Sequence, residues 1–236
     1  MWVIAHRGAS KQAPENTLTA FSLALQQGAH GIELDTYQLE DQQMVIHDRF
    51  LHRTTNGKGK VVDASVAYLR SLDAGDGQPV PLLSEVMQLL PDNIICNVEI
   101  KHLTDARAWL ASLDSALQNS ALRPENLIIS SFNHTWLQDI KVLRPDLQIG
   151  ALTASYPVNG ADFASLLNAY AMHIDIDIVD EEIINLAHRE GLKVLVYTVD
   201  DPQDMHKLKG WGVDGIFTNL PELALQEVGD SASEAP

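Results

Sequence analysis

Residues 2–39 read WVIAHRGASKQAPENTLTAFSLALQQGAHGIELDTYQL. Apolar, strand-like runs occupy 2–6 and 31–39, and a helical pattern fills 15–28 between them. The order strand, helix, strand indicates a parallel βαβ unit, because two parallel strands in one sheet need a long crossover connection. The rest of the chain follows the same order of elements.

Six more strand-like runs follow, at 93–100, 126–132, 147–153, 173–179, 193–199 and 215–219. Helical patterns alternate with them, at 82–90, 105–119, 133–144, 161–171, 180–191, 201–212 and 221–228. Continuous apolar strands that alternate with helices predict a parallel sheet covered by helices. Eight such units favour a closed (β/α)8 TIM barrel over an open doubly wound sheet.

We expect residues 1–228 to form one barrel domain. Residues 49–80 interrupt the alternation with glycine-rich turns and two short apolar pieces, which predicts a small insertion after the second strand, on a βα loop. An ordinary long surface loop is the alternative. Residues 229–236, GDSASEAP, are small, polar and acidic, so we expect a disordered tail.

The composition limits the possible partners and locations. The chain has 236 residues and a formal net charge of −16, which argues against nucleic acid as a partner, because such proteins present a cationic surface. No stretch approaches the roughly 18 apolar residues that span a bilayer, and the N-terminus does not resemble a secretory signal. We therefore expect a cytoplasmic protein without a membrane anchor, in which the lone Cys96 is a buried thiol.

Three acidic residues interrupt apolar strands. Glu33 and Asp35 lie two positions apart on the second strand, so both side chains point to one side, with Cα atoms about 6.6 Å apart. Glu99 occurs in the third predicted strand, and neighbouring strands are about 4.8 Å apart. The three carboxylates are predicted to converge on one divalent cation, Mg²⁺ or Ca²⁺, because their donors are all oxygen. Alternatively, they pair with basic residues at the barrel rim.

Two histidines and two cations complete the predicted site. His6 ends the first strand and His47 follows the run MVI, so each is a candidate for acid–base chemistry near the carboxylates. Arg7 and Lys101 are candidates for binding phosphate or carboxylate oxygens of an anionic substrate, which the negative net charge would otherwise repel. For Arg7, a salt bridge to an acid such as Glu15 is the alternative.

The motifs HRGASKQAPENTLTAF, GIELDTYQLEDQQMVIHD, VEIK, SSF, YTVD and GVDGIFTNLP occur in this order between residues 6 and 221. In combination they resemble the glycerophosphodiester phosphodiesterases, specifically the compact bacterial cytosolic type. The resemblance implies metal-dependent hydrolysis of small-molecule glycerophosphodiesters, such as glycerophosphocholine and glycerophosphoethanolamine, to sn-glycerol 3-phosphate and an alcohol.

The resemblance also implies roles for individual residues. The metal ligands map onto Glu33, Asp35 and Glu99, and the acid–base pair maps onto His6 and His47. Arg7 and Lys101 fall where phosphate is bound, and Glu15 and Asn16 have a supporting role. Tyr197 stands where many relatives carry tryptophan, and Asp200 where many carry asparagine, so the preferred alcohol is left open.

Two other functions are compatible with the sequence. A phospholipase D-like activity on lysophospholipids or sphingolipids would need an apolar surface, and the segment at 49–80 is too short and mixed to indicate one. A noncatalytic metal-binding barrel would have no need for both His6 and His47. The oligomeric state, monomer or homodimer, is also left open.

Overall fold

The computed structural model describes residues 1–228, in which eight parallel strands form a closed barrel. The barrel strands are β1 Trp2–His6, β2 Gly31–Leu39, β4 Ile95–His102, β5 Leu127–Ser131, β6 Gln148–Thr153, β7 Ala171–Asp175, β8 Lys193–Tyr197 and β9 Gly215–Thr218. Strand β1 closes the barrel because Ile4 pairs in parallel with Gly31 of β2 on one side and with Phe217 of β9 on the other. The predicted TIM barrel is confirmed.

Helices surround the barrel, and one of them, Val66–Arg70, lies within the segment at 49–80. They are α1 Leu18–Gln26, α2 Val66–Arg70, α3 Leu83–Leu89, α4 Ala106–Gln118, α5 His134–Leu143, α6 Asp162–Ser165, α7 Glu181–Arg189, α8 Pro202–Gly210 and α9 Pro221–Val228. Several begin at a side-chain cap: Asp105, Asn133, Asp180 and Asp201 each accept hydrogen bonds from backbone N–H groups of the following turn. These caps explain where α4, α5, α7 and α8 start.

The main apolar core lies between the barrel and the helices. Trp109 of α4 and Phe21 of α1 are fully buried there, as is the Cys96 thiol, whose pKa burial raises to about 12. A separate cluster of Ile4, Ala171, Leu195 and Phe217 joins four barrel strands. Ile4 lies two residues before His6, so both side chains point to the same face of β1. This apolar cluster therefore lies inside the barrel, below the polar carboxyl ends of the strands.

Strand β2 continues into a hairpin, whose second strand was not predicted from the sequence. Strand β3, Gln42–Val45, pairs antiparallel with β2, in the register Thr36 to Val45. The reversal passes through Glu40, whose φ of 54° is left-handed. Because the Ile46 N–H donates to the Asp35 carbonyl at 3.0 Å, the chain returns toward the barrel mouth just before His47.

The segment at 49–80 connects β3 to α3. It contains α2 and two short 3-10 helices, Leu51–Arg53 and Val61–Asp63. Its buried side chains, among them Leu51 and Leu69, pack in one cluster with residues of the β2–β3 hairpin. Treating this segment as an insertion within a single domain of residues 1–228 stays a prediction, and the expected tail at 229–236 lies outside the described residues.

Two predicted boundaries were wrong. Helix α6 ends at Ser165 rather than near residue 171, and Asn168 soon after it has a left-handed φ of 49°. Strand β7 spans Ala171–Asp175, not 173–179. It ends there because the Asp175 carboxylate accepts the Asp177 N–H at 2.9 Å and the Asp175 carbonyl accepts the Val179 N–H, which forms a turn.

Within residues 1–228, no helix combines the length and the hydropathy that a membrane crossing requires.

Candidate active site

Three carboxylates meet at the carboxyl ends of β2 and β4. Glu33 and Asp35 are 3% and 0% exposed, and Asp35 stands beside Glu99 in the parallel register. One carboxylate oxygen from each residue lies within 4.8 Å of the others. This convergence follows from the two-residue period of β2 and from the pairing of β2 with β4. The predicted grouping of Glu33, Asp35 and Glu99 is therefore present in the structure.

The electrostatics of this cluster show unbalanced negative charge. Burial, together with the charges of Asp35 and Glu99, raises the pKa of Glu33 well above its usual value. Burial and the charge of Asp35 likewise raise the pKa of Glu99 to about 7. Burial opposes ionisation of Asp35 as well, but the charges of Arg7 and Lys101 and a hydrogen bond from Asn16 outweigh it, so the Asp35 pKa is lowered.

The cluster contains buried oxygens that lack a hydrogen-bond partner. They are Oε1 of Glu33 and Oδ1 of Asp35. Buried carboxylate oxygens without a donor are costly, and a cation among them would remove that cost. The donors are all carboxylate oxygens, which suits a hard divalent cation such as Mg²⁺ or Ca²⁺. These residues therefore fit a metal ion.

Arg7 and Lys101 lie against the same carboxylates. Arg7 Nε is 3.1 Å from Asp35 Oδ2, and Arg7 Nη1 is 2.9 Å from Glu15 Oε1. Lys101 Nζ is 2.8 Å from Glu99 Oε1 and 3.8 Å from Asp35 Oδ1. The salt bridge between Arg7 and Glu15 that the sequence left open as an alternative is present, and Arg7 and Lys101 also line the open cavity.

The loop after β1 is shaped so that Arg7 can turn back over the barrel. Arg7 has a left-handed φ of 57°, and its N–H donates to Glu33 Oε2 at 3.0 Å. Asn16, also left-handed with a φ of 56°, donates from Nδ2 to Asp35 Oδ2 at 2.9 Å. Glu15 and Asn16 thus contact the site residues Arg7 and Asp35 from behind.

His6 ends β1 beside the carboxylates, with Nε2 3.9 Å from Glu33 Oε2. Its Nδ1 lies 2.8 Å from Asn219 Oδ1. Burial, and next the charge of Arg7, lower the pKa of His6 to about 4. The imidazole is therefore neutral at neutral pH.

His47 follows the β2–β3 hairpin. It lies C-terminal to Arg7, whereas His6 directly precedes Arg7. Its Nδ1 is 2.6 Å from Asp48 Oδ1. A carboxylate accepts hydrogen bonds but does not donate them when ionised, so Nδ1 carries the proton. Burial lowers the pKa of His47, although the charge of Asp35 and the hydrogen bond to Asp48 oppose this shift.

One cavity of about 420 Å³ opens among these residues. Of the nine site residues that the sequence predicts, those lining it are His6, Arg7, Glu33, His47, Glu99 and Lys101. Asp35, Glu15 and Asn16 lie behind them, in contact with Arg7 or with one another. The far wall contains Phe132 and Tyr197, whose rings meet edge to face at 5.9 Å.

Two residues beside His6 were not predicted from the sequence: Asn219, which contacts the imidazole, and Asp200, which contacts Asn219. Asp200 accepts hydrogen bonds from the Asn219 backbone N–H at 2.8 Å and from Asn219 Nδ2 at 2.7 Å. This fixes the amide so that Oδ1 faces His6. The available signal was the position of Asn219, which directly follows the last barrel strand, beside β1.

The model of the glycerophosphoryl diester phosphodiesterase family matches residues 6–223. A protein from Caldanaerobacter subterraneus subsp. tengcongensis named glycerophosphodiester phosphodiesterase is 38% identical, over 96% of this chain and 97% of its own length. A Bacillus subtilis protein of the same name is 32% identical, over 93% of this chain and 84% of its own.

A solved structure of an Oleispira antarctica phosphodiesterase, in complex with the product sn-glycerol-3-phosphate, superposes with a TM-score of 0.89. It is 29% identical in sequence, and the superposition covers 98% of this chain and 97% of that one. A glycerophosphodiester phosphodiesterase from Thermotoga maritima, also 29% identical, has a TM-score of 0.78 over 95% of this chain and 96% of its own. The chain belongs to the glycerophosphoryl diester phosphodiesterase family.

Proposed function

We propose that this protein hydrolyses glycerophosphodiesters to sn-glycerol 3-phosphate and an alcohol, with a divalent cation and a pair of histidines. The observation that carries the proposal is the convergence of the acidic cluster, Arg7, Lys101 and both imidazoles on one cavity. Family membership supports the same reaction, as does the product bound to the Oleispira antarctica relative.

Glu33, Asp35 and Glu99 would hold the cation. When bound, it supplies positive charge that polarises a phosphoryl oxygen. Oε1 of Glu33 and Oδ1 of Asp35 support this role, since neither accepts a hydrogen bond and the ammonium of Lys101 is 3.8 Å from the Asp35 oxygen. Glu15 and Asn16 support the site indirectly, because they hold Arg7 and Asp35 in place.

Arg7 and Lys101 would bind the phosphate oxygens. Both cations contact the carboxylate cluster on one side and line the cavity on the other. A guanidinium and an ammonium directed at the oxygens stabilise the charge that develops on a phosphodiester as it is attacked. They also provide the local positive charge that a chain of net charge −16 needs to attract an anion.

The surroundings of the two histidines favour different roles. His6 is neutral, and because Nδ1 donates to Asn219, its unprotonated Nε2 is available as a base. At His47, the charge of Asp35 and the hydrogen bond to the ionised Asp48 oppose the burial that lowers its pKa, and so favour the protonated form that a general acid requires. In our proposal His6 takes the proton of the nucleophile, and His47 gives a proton to the leaving oxygen of the alcohol.

The nucleophile is either water or the 2-hydroxyl of the substrate's own glycerol. Attack by the hydroxyl forms a cyclic glycerophosphate before water opens it, whereas attack by water does not. Quenched single-turnover reactions analysed by phosphorus NMR would separate the two routes by the presence or absence of the cyclic product.

The assay that tests the proposed function measures sn-glycerol 3-phosphate released from glycerophosphocholine, glycerophosphoethanolamine and glycerophosphoglycerol, with a long-chain lysophospholipid as comparison. We expect release from the water-soluble diesters in the presence of Mg²⁺ or Ca²⁺. Turnover of the lysophospholipid alone would replace the proposal with a phospholipase D-like activity. A variant with His6→Ala and His47→Ala together serves as the inactive control.

A further inference from the structure

Arg53, in the segment that connects β3 to α3, joins two carboxylates from different loops. Its Nη1 and Nη2 each lie 2.7 Å from an oxygen of Glu15, in the loop after β1. Its Nη2 also lies 2.9 Å from Asp48 Oδ1, and its Nε donates to Asp48 Oδ2. One guanidinium thus binds both acids in a fork geometry, which only arginine provides.

The backbone that carries Arg53 is anchored. Leu51, two residues earlier, is fully buried, and its N–H donates to the Gly59 carbonyl at 3.0 Å. Thr55 closes the turn, because its N–H and its hydroxyl both donate to the Leu51 carbonyl. Arg53 is therefore presented to the two loops by a pre-formed turn rather than by a free loop.

A second contact between the same segments supports this arrangement. Gly75, also in the connecting segment, lies so close to Pro14 that a Cβ at residue 75 would be 2.6 Å from the Pro14 Cβ. Pro14 directly precedes Glu15. The segment therefore packs against the loop after β1 as well as pairing with it.

Each of the two carboxylates also contacts a residue that lines the cavity. Asp48 Oδ1 accepts from His47 Nδ1 at 2.6 Å, and Glu15 Oε1 accepts from Arg7 Nη1 at 2.9 Å. The hydrogen bonds from Arg53, ahead of the one from His47, lower the pKa of Asp48 to about 2, so this carboxylate is ionised. Without the guanidinium, Glu15 and Asp48 would be neighbouring like charges and would repel each other.

We propose that Arg53 is a positioning residue, which holds Asp48 against His47 and Glu15 against Arg7 so that His47 can protonate the leaving alcohol. The inference rests on the proposed function. In the step concerned, the P–O bond to the alcohol breaks and its electron pair stays on the alcohol oxygen. That oxygen takes the proton from Nε2 of the His47 imidazolium, which is left as a neutral ring with its remaining proton on Nδ1, facing Asp48. Arg53 is not among the residues that line the cavity, so it acts through Asp48 and Glu15.

This role predicts a dependence on the leaving group. A choline or ethanolamine alkoxide is strongly basic and needs the proton from His47, whereas 4-nitrophenolate leaves without one. Loss of Arg53 should therefore slow hydrolysis of glycerophosphocholine far more than hydrolysis of the 4-nitrophenyl ester of glycerol 3-phosphate. A merely structural role would slow both substrates equally.

The experiment compares Arg53→Met with the wild-type enzyme on these two substrates. We expect kcat for glycerophosphocholine to fall roughly ten- to a hundredfold, and kcat for the nitrophenyl ester to change by less than about threefold. KM should rise for both, because Glu15 then no longer holds Arg7 in place for the phosphate. Equal losses of kcat on the two substrates, or no loss on either, would overturn the proposal.

Arg144→Met is the matched control. Arg144 also joins two carboxylates, with Nη1 2.6 Å from Asp114 and Nε 2.9 Å from Asp146, but it does not line the cavity. Its loss should leave kcat unchanged on both substrates.

The Arg53 side chain is 46% exposed, so the thermal denaturation midpoint of Arg53→Met should match that of the wild type and establish that the variant is folded.

Chemical rescue provides a second test. In Arg53→Ala, added guanidinium chloride at low, non-denaturing concentration should restore part of kcat on glycerophosphocholine, while the same concentration of sodium chloride should not. Restoration by both salts equally, or by neither, would contradict a specific guanidinium role.

If the wild type hydrolyses no glycerophosphodiester, or His47→Ala keeps full activity, the proposed function fails instead, so the two failures are distinguishable.

Discussion

Asn219 Oδ1 accepts a hydrogen bond from His6 Nδ1 at 2.8 Å, across 213 positions of the chain. The contact exists because β1 and β9 pair where the barrel closes. Asp200 holds the Asn219 amide from the other side, so the orientation of the amide is fixed. The ring nitrogen of His6 that faces the cavity is therefore the one without a proton, which is the state that a general base requires.

Replacing Asn219 should impair catalysis without unfolding the barrel. In Asn219→Ala the imidazole loses the acceptor at Nδ1, so its proton can move to Nε2 and block the base. We expect kcat on glycerophosphocholine to fall by roughly ten- to a hundredfold, less than for removal of the imidazole. Asn126→Ala is the control, because Asn126 is hydrogen-bonded to Asp92 and lies outside the cavity lining. Wild-type kcat in Asn219→Ala would refute the positioning of His6.

Removing either imidazole should cause a larger loss. We expect His6→Ala and His47→Ala each to lower kcat by about two to four orders of magnitude, since general acid–base groups contribute that much. Circular dichroism should show an unchanged fold. His206→Ala is a matched control, because His206 pairs with Glu227 on the surface. If either His6→Ala or His47→Ala keeps near-normal kcat, the assignment of that histidine is wrong.

Cation binding should release protons near neutral pH. The pKa of Glu99 is raised to about 7, so this carboxyl is partly protonated at neutral pH without a cation, and burial raises the pKa of Glu33 in the same direction. A bound cation favours the ionised form, so the affinity for Mg²⁺ or Ca²⁺ should rise as the pH increases through about 7. Calorimetry in buffers of different ionisation enthalpy measures the protons released. Glu99→Gln should release fewer and bind more weakly, whereas binding without proton release would contradict this electrostatic description.

Gly150 on β6 should be a stability determinant. A Cβ at this position would lie 2.3 Å from Cε1 of His173, whose ring is fully buried and meets Phe217 edge to face at 5.1 Å. Because that ring cannot move freely, Gly150→Ala should cost about 1–3 kcal/mol of unfolding free energy, measured by urea denaturation. Gly210→Ala is the control, because Gly210 is the last residue of α8 with nothing within 4 Å of a Cβ, and it should cost nothing. Equal midpoints for both variants would contradict the packing argument.

The sequence predicted the barrel and the acidic cluster because both depend on short periods. The strand period of two residues places Glu33 and Asp35 on one side of β2, and parallel pairing brings Glu99 next to Asp35. The end of β7 was misplaced, because the alternation in HIDIDIV continues past Asp175 although its carboxylate starts a turn there. The end of α6 was misplaced because the helical pattern continues to residue 171, although the chain turns left-handed at Asn168.

The contacts of Arg53 and Asn219 were beyond prediction from local pattern. Arg53 reaches Glu15 only when the segment that follows β3 has folded onto the loop after β1. Asn219 reaches His6 only when the last barrel strand closes against the first. Both contacts depend on tertiary closure, which the spacing of residues in the sequence does not encode.

The central claim is that Glu33, Asp35 and Glu99 hold the divalent cation on which hydrolysis depends. Its most direct test measures release of sn-glycerol 3-phosphate from glycerophosphocholine by chelator-treated enzyme, before and after titration with Mg²⁺ or Ca²⁺. We predict no turnover in chelator, full recovery on titration, and recovery in Glu33→Gln only at higher cation concentration. Full activity of the wild type in excess chelator would contradict the claim.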